Sequence, residues 1–171
     1  MDPPTDTAHA VVRFTAAAHA GLDRLADTPA WSMSPDEQRD ALVSLTRLEA
    51  RVAELRLRVL AAAQVNQVGA ETGATSTAAW VAHATKATRA ECARAVGLAT
   101  AWDTRFPTTR QALADGRIDT ERAMVVVQAV DRLTDDHDNL PPGTRARAEE
   151  HLVQLAQCYD AVTLRRLGHR L

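Results

Sequence analysis

The sequence predicts an all-α fold, a bundle of about seven helices with one long central helix and a helix-turn-helix-like hairpin. Three observations carry this. Alanine, the best helix former, is the commonest residue. Apolar residues recur at steps of three and four along most of the chain. Glycine and proline number seven each and stand mostly between the periodic segments rather than inside them. With 46% hydrophobic but only 4% aromatic residues, the core must be built from Ala, Leu and Val. The 171 residues fit one compact domain with a helical extension, divided as residues 1–33 (a first helix and linker) and 34–171 (the main helical domain).

The first helix is predicted from Thr7 to about Ala26, with Val11, Phe14, Ala18, Leu22 and Leu25 on one face. Ser34-Pro35-Asp36-Glu37 then reads as a helix start, Ser34 and Glu37 forming a capping box around Pro35. The helix that follows meets no breaker until Gly69 and would be roughly 50 Å long. Leu45, Leu48, Val52, Leu55, Val59 and Ala62 form a coiled-coil-like seam along it. Such a helix must pack along its length, on its own domain or on a second copy. The seam spans under three heptads, which favours its own domain.

Gly69–Gly73 reads as a turn, after which Ser76 or Thr75 caps a short helix carrying Trp80 and Val81. A break at Thr85-Lys86-Ala87-Thr88 leads to a longer helix with a Thr88/Glu91 capping box and a buried stripe of Cys92, Ala95, Val96, Ala99 and Trp102. Phe106-Pro107 ends it, and a short helix over Thr109–Ala114 stops at Gly116. Asp119 caps the next, whose inner face is Ala123, Val126, Val127, Val130 and Leu133. Beyond the acidic loop Asp135–Asn139 and Pro141-Pro142-Gly143, a helix should bury Ala148, Leu152, Leu155 and Tyr159. A last amphipathic segment runs from Asp160 to Leu171, uncapped, as expected of a chain cut before a further module. Trp80 and Trp102 read as core anchors, and Trp31 as a lid over the first hairpin.

Composition narrows the function classes. The formal net charge of −2 gives the whole chain no field that would draw it to DNA or an anionic membrane. Two cysteines, Cys92 and Cys158, are too few and too far apart for a disulfide framework or a zinc site. No apolar run has membrane length and no start resembles a signal peptide, so a cytoplasmic protein without a membrane partner is expected. No Gly-rich phosphate loop or triad-like ordering appears, so no catalytic residue is assigned and enzyme activity of this chain is left open.

Three stretches taken together resemble one family: Leu45-Thr46-Arg47-Leu48-Glu49-Ala50 to Val59-Leu60-Ala61-Ala62-Ala63, Glu71-Thr72-Gly73-Ala74-Thr75-Ser76-Thr77-Ala78-Ala79-Trp80, and Phe106-Pro107-Thr108-Thr109 to Ala112-Leu113-Ala114-Asp115-Gly116-Arg117-Ile118. From about Glu37 onward, with the closing Leu164-Arg165-Arg166-Leu167-Gly168, the chain is similar to the DUF222 domain, also called the 13E12-repeat family, of actinobacteria and their phages. The resemblance implies a domain that usually precedes an HNH nuclease module, to which any divalent metal would belong. It implies no cofactor for this chain. An HNH centre needs clustered His and Asn. Here the nearest approach is His137-Asp138-Asn139, in an acidic loop without a second His or Cys at ligand spacing, so no metal site is assigned.

Two surfaces remain as candidates. In the helix-turn-helix outline over Ser76–Trp102, the start of the second helix would face double-stranded DNA, with Lys86, Arg89 and Arg94 as contacts and Thr85 and Thr88 donating to phosphate. From Ser76 to Ile118 six basic residues outweigh three acidic ones, a net +3, whereas Met1–Asp40 and Asp119–Glu150 each carry −4. Capped helical hairpins are also ordinary structural elements, and Thr88 and Glu91 already have a capping role. The second candidate is the seam of Leu45, Leu48, Val52, Leu55 and Val59, as a homodimer or protein-interaction interface.

Overall fold

The structure is a computed structural model that describes residues 8–135 and 141–168. Among these residues there are eight α-helices and no strands, so the fold is all-α. The acidic loop expected at Asp135–Asn139, including His137-Asp138-Asn139, lies almost wholly outside the described residues. By backbone proximity the chain divides into two units, residues 1–42 and 43–171, and the division falls inside the long helix.

The first unit contains α1 (Ala10–Leu25), a 3-10 turn at Ala30–Ser32 and the start of α2 (Pro35–Val65). The His9 imidazole Nδ1 accepts from the Val11 amide at 3.2 Å and so caps α1. The Ser34/Glu37 box forms as expected, the Ser34 amide donating to Glu37 Oε2 at 2.7 Å and the Glu37 amide to Ser34 Oγ at 3.3 Å. On the apolar face of α1, Phe14, Leu22 and Leu25 are all exposed. Trp31 is no lid: it is 83% exposed.

The second unit holds the rest of α2 followed by α3 (Thr77–Thr85), α4 (Arg89–Arg105), α5 (Pro107–Ala114), α6 (Thr120–Asp135), α7 (Thr144–Cys158) and α8 (Ala161–Gly168). A single core runs through it, with Trp102, Phe106, Leu113, Ile118, Val126, Val130, Leu152 and Leu164 essentially inaccessible to solvent. Alanines fill the spaces between them (Ala50, Ala99, Ala112, Ala123, Ala129, Ala156), as the aromatic-poor composition requires. The caps expected at Ser76, Thr88 and Asp119 all form. Helix α5 starts two residues earlier than its spacing suggests, because Pro107 occupies the first turn, where its missing N–H costs nothing.

Two glycines fix how the chain approaches itself. Gly69 has φ +100°, and a Cβ there would lie 2.5 Å from Trp80 Cβ, so the turn before α3 and the indole packed over it both require glycine. Gly116 has φ +68°, and a Cβ would lie 3.0 Å from the Arg47 carbonyl oxygen, so the α5–α6 turn lies directly on the α2 backbone.

Candidate functional site

The α3–α4 hairpin has the expected outline. Residues 86–88 join the helices, and Lys86 takes the left-handed conformation (φ +60°) at the end of α3. Thr85, Lys86, Thr88, Arg89 and Arg94 are all exposed. Lys86, Arg89 and Arg94 form no ion pair among the described residues. The two threonines, however, have spent their protons. Thr85 Oγ1 donates to the Val81 carbonyl at 2.8 Å, and Thr88 Oγ1 donates to Glu91 Oε2 at 2.7 Å.

Glu91 in turn accepts from the Thr88 amide at 3.1 Å, and its own amide donates to Thr88 Oγ1 at 3.2 Å. A carboxylate therefore sits at the start of α4, where a helix-bound phosphate would otherwise sit. The Thr88 hydroxyl and then the Thr88 amide hold the Glu91 carboxyl below its ordinary range. The cap is therefore fully present above the ordinary carboxylate pKa and is lost as pH falls through the lowered value.

On α2 the structure separates two apolar faces. Ala50, Glu54, Leu57 and Leu60 are buried and pack α2 onto its own bundle. At 100° per residue, the seam lies on the opposite side of the cylinder. Leu45 is 54% exposed, Leu48 49%, Val52 43% and Val59 45%, with Leu55 half-buried. Intramolecular packing of α2 thus uses a different face from the one its heptad spacing marks out. Most of the seam stays exposed among the described residues.

Sequence reasoning missed the buried polar groups of the bundle. Glu54 on α2, only 5% exposed, accepts from Arg110 Nε at 3.0 Å and pairs with Arg58 at 3.2 Å. These three residues, with Pro107, Gln111 and Ala114, line an open cleft of about 340 Å³. Glu149 on α7, 2% exposed, accepts from the Thr109 amide at 2.7 Å and from Thr109 Oγ1 at 2.8 Å. Phe106 offers no side-chain cap to α5, so Glu149 caps that helix from another element.

The buried face of α7 is rotated from the expected one. Glu149, Leu152, Val153 and Ala156 are buried, whereas Leu155 is half-buried and Tyr159 is exposed. Above this cap, Arg145 and Arg105 lie over the Phe106 ring, 4.8 and 5.5 Å from its centroid, and both pair with Asp131.

Among the described residues, no three His, Cys, Asp or Glu side chains gather as metal ligands would, and no helix is long and apolar enough to cross a membrane. Cys92 is buried and Cys158 exposed, both as free thiols. The described residues define an all-α domain with a packed alanine-rich core, a bare heptad seam and an exposed basic hairpin. The chain belongs to the DUF222 family, a domain of unknown function, whose model matches residues 36–171. No curated protein and no solved structure matches it.

Proposed function

We propose that this chain is a non-catalytic helical module that self-associates through α2 and serves a longer HNH endonuclease-like protein, in which a domain of this family would precede the nuclease module. The observation that carries the reading is the seam of α2, regular in heptad spacing and with Leu45, Leu48, Val52 and Val59 exposed, opposite a face already committed to the core. A helix apolar on two opposite faces is suited to burial on both. Free Cys92 and Cys158 suit the reducing cytoplasm as the compartment.

Light scattering over a concentration series tests the reading. The chain is expected to dimerise, and Leu48→Asp, which puts an unpaired carboxylate on each side of the interface, should raise the Kd about a hundredfold or more. A wild-type chain that stays monomeric at about 100 µM would remove the proposal, since even small interfaces associate weakly at such concentrations.

DNA association through the α3–α4 hairpin is a second reading, favoured by three exposed cations that form no ion pair among the described residues, in a stretch of net positive charge. Glu91 at the α4 start leaves contact to side chains alone, so binding should be weak, non-specific and strongly salt-dependent. Fluorescence anisotropy of labelled duplex at about 50 and about 200 mM salt should show affinity falling steeply, and falling further in an Arg89→Ala/Arg94→Ala variant. No binding at the lower salt eliminates this second reading.

A further inference from the structure

The self-association proposed above leaves open how the two helices run, and the residues flanking the seam decide it. We infer that the partner of α2 is a second copy of this chain lying antiparallel to it, with Glu49 of each copy paired to Arg56 of the other; this rests on the self-association reading.

In the heptad written along the seam, Leu45, Val52 and Val59 take the a positions and Leu48, Leu55 and Ala62 the d positions. Glu49 and Arg56 are then e residues, and Arg51 and Arg58 g residues. The buried residues Ala50, Glu54, Leu57 and Leu60 fall at f, c, f and b, on the side away from the seam, so pairing through a and d leaves the bundle undisturbed. Glu49, Arg51 and Arg56 are exposed and form no ion pair among the described residues, which leaves them available to a partner.

The two orientations differ in layers and in charge. A parallel in-register pair stacks like on like: leucines on leucines, valines on valines, and Ala62 on Ala62, which leaves a gap at one end. It also sets Arg51 against Arg56 of the second copy twice over, while Glu49 meets only Ser44. An antiparallel pair places a against d. Leu45 then meets Ala62, Leu48 meets Val59 and Val52 meets Leu55, so large faces smaller in every layer. The e positions now face each other, and Glu49 falls opposite Arg56 twice. Arg51 faces Arg58, but the Arg58 guanidinium is already drawn to buried Glu54 of its own helix at 3.2 Å. Like charges opposed across an interface set orientation more than strength, and here they stand against the parallel form. The result is an isologous two-fold dimer, the commonest closed symmetry.

Charge variants read the orientation directly by sedimentation equilibrium of the full chain. In the antiparallel dimer Arg56→Glu and Glu49→Arg each weaken association several-fold, and the Glu49→Arg/Arg56→Glu double variant recovers the wild-type Kd. Tighter association of Arg56→Glu would overturn the inference, because that substitution relieves the Arg51–Arg56 repulsion of a parallel pair.

Cross-linking gives a second reading, in a Cys158→Ser background that removes the exposed native thiol. Leu45→Cys with Ala62→Cys is expected to oxidise to a covalent dimer. Leu45→Cys alone is not, since its two copies would lie roughly 25 Å apart along the antiparallel axis, far beyond disulfide reach. A covalent dimer from Leu45→Cys alone sinks the orientation while leaving self-association standing. A wild-type chain monomeric throughout sinks both.

Discussion

Replacing Glu149 by alanine is expected to lower the stability of the second unit by about 2–4 kcal/mol, because two buried donors lose their acceptor together. The Thr109 amide and hydroxyl both donate to Glu149 Oε1, at 2.7 and 2.8 Å, in a site where Glu149 is 2% and Thr109 0% exposed. Neither donor can turn to water. The α5 helix has no cap of its own, since Phe106 precedes it and Pro107 opens it, so the lost carboxylate also removes the charge facing its N-terminal dipole.

Glu149→Gln keeps a carbonyl acceptor of the same reach and should cost only about 1 kcal/mol, the charge-assisted part of the bonds. The exposed neighbour Glu150 serves as control, and its alanine variant should stay within about 0.5 kcal/mol of wild type. Urea unfolding measures all three, with the midpoint shifting and the slope unchanged. A Glu149→Ala midpoint indistinguishable from that of Glu150→Ala would show that the cap contributes nothing.

That cap also marks where sequence reading stops. Ser34 with Glu37, Thr88 with Glu91, Ser76 and Asp119 were legible because a cap acts within three residues, and the pattern lies on one stretch of chain. Glu149 and Thr109 are 40 residues apart, and Glu54 and Arg110 are 56 apart. On an amphipathic helix a glutamate reads as solvent-facing, and only its distant partner reverses that.

On α7 the spacing of Ala148, Leu152, Leu155 and Tyr159 predicts the inner face, whereas the structure buries Glu149, Leu152, Val153 and Ala156. On α2 the larger residues follow the heptad of the seam, yet the domain packs on the less regular set of Ala50, Leu57 and Leu60, which flank the buried Glu54. Periodicity reports that a face is apolar, not which neighbour covers it. The candidate surfaces were therefore found from sequence, while their availability could come only from the structure.

The largest single loss is expected at Phe106. Its side chain is 0% exposed and stands at the joint where α4 ends and α5 begins. Phe106→Ala should cost about 3–5 kcal/mol, the transfer term plus a cavity that the surrounding helices cannot close. The ring also lies beneath the Arg145 and Arg105 guanidiniums, at 4.8 and 5.5 Å, which are tied together through Asp131. Phe106→Leu keeps most of the volume but removes the aromatic face, so its smaller cost, about 1–2 kcal/mol, reports the stacked guanidiniums together with imperfect shape.

For a domain of this size the alanine variant should melt roughly 6–20 °C below wild type. A fall of under about 2 °C would mean that the joint repacks, and that Phe106 is not the anchor its burial indicates. The contrast with the seam separates fold from function. Leu48 is 49% exposed, so Leu48→Asp should leave the melting temperature of a dilute sample near wild type while abolishing association. Phe106→Ala should do the reverse below its own transition, because the residues that hold the bundle together and those proposed to pair it lie on opposite faces of the same helix, α2, or behind the buried one.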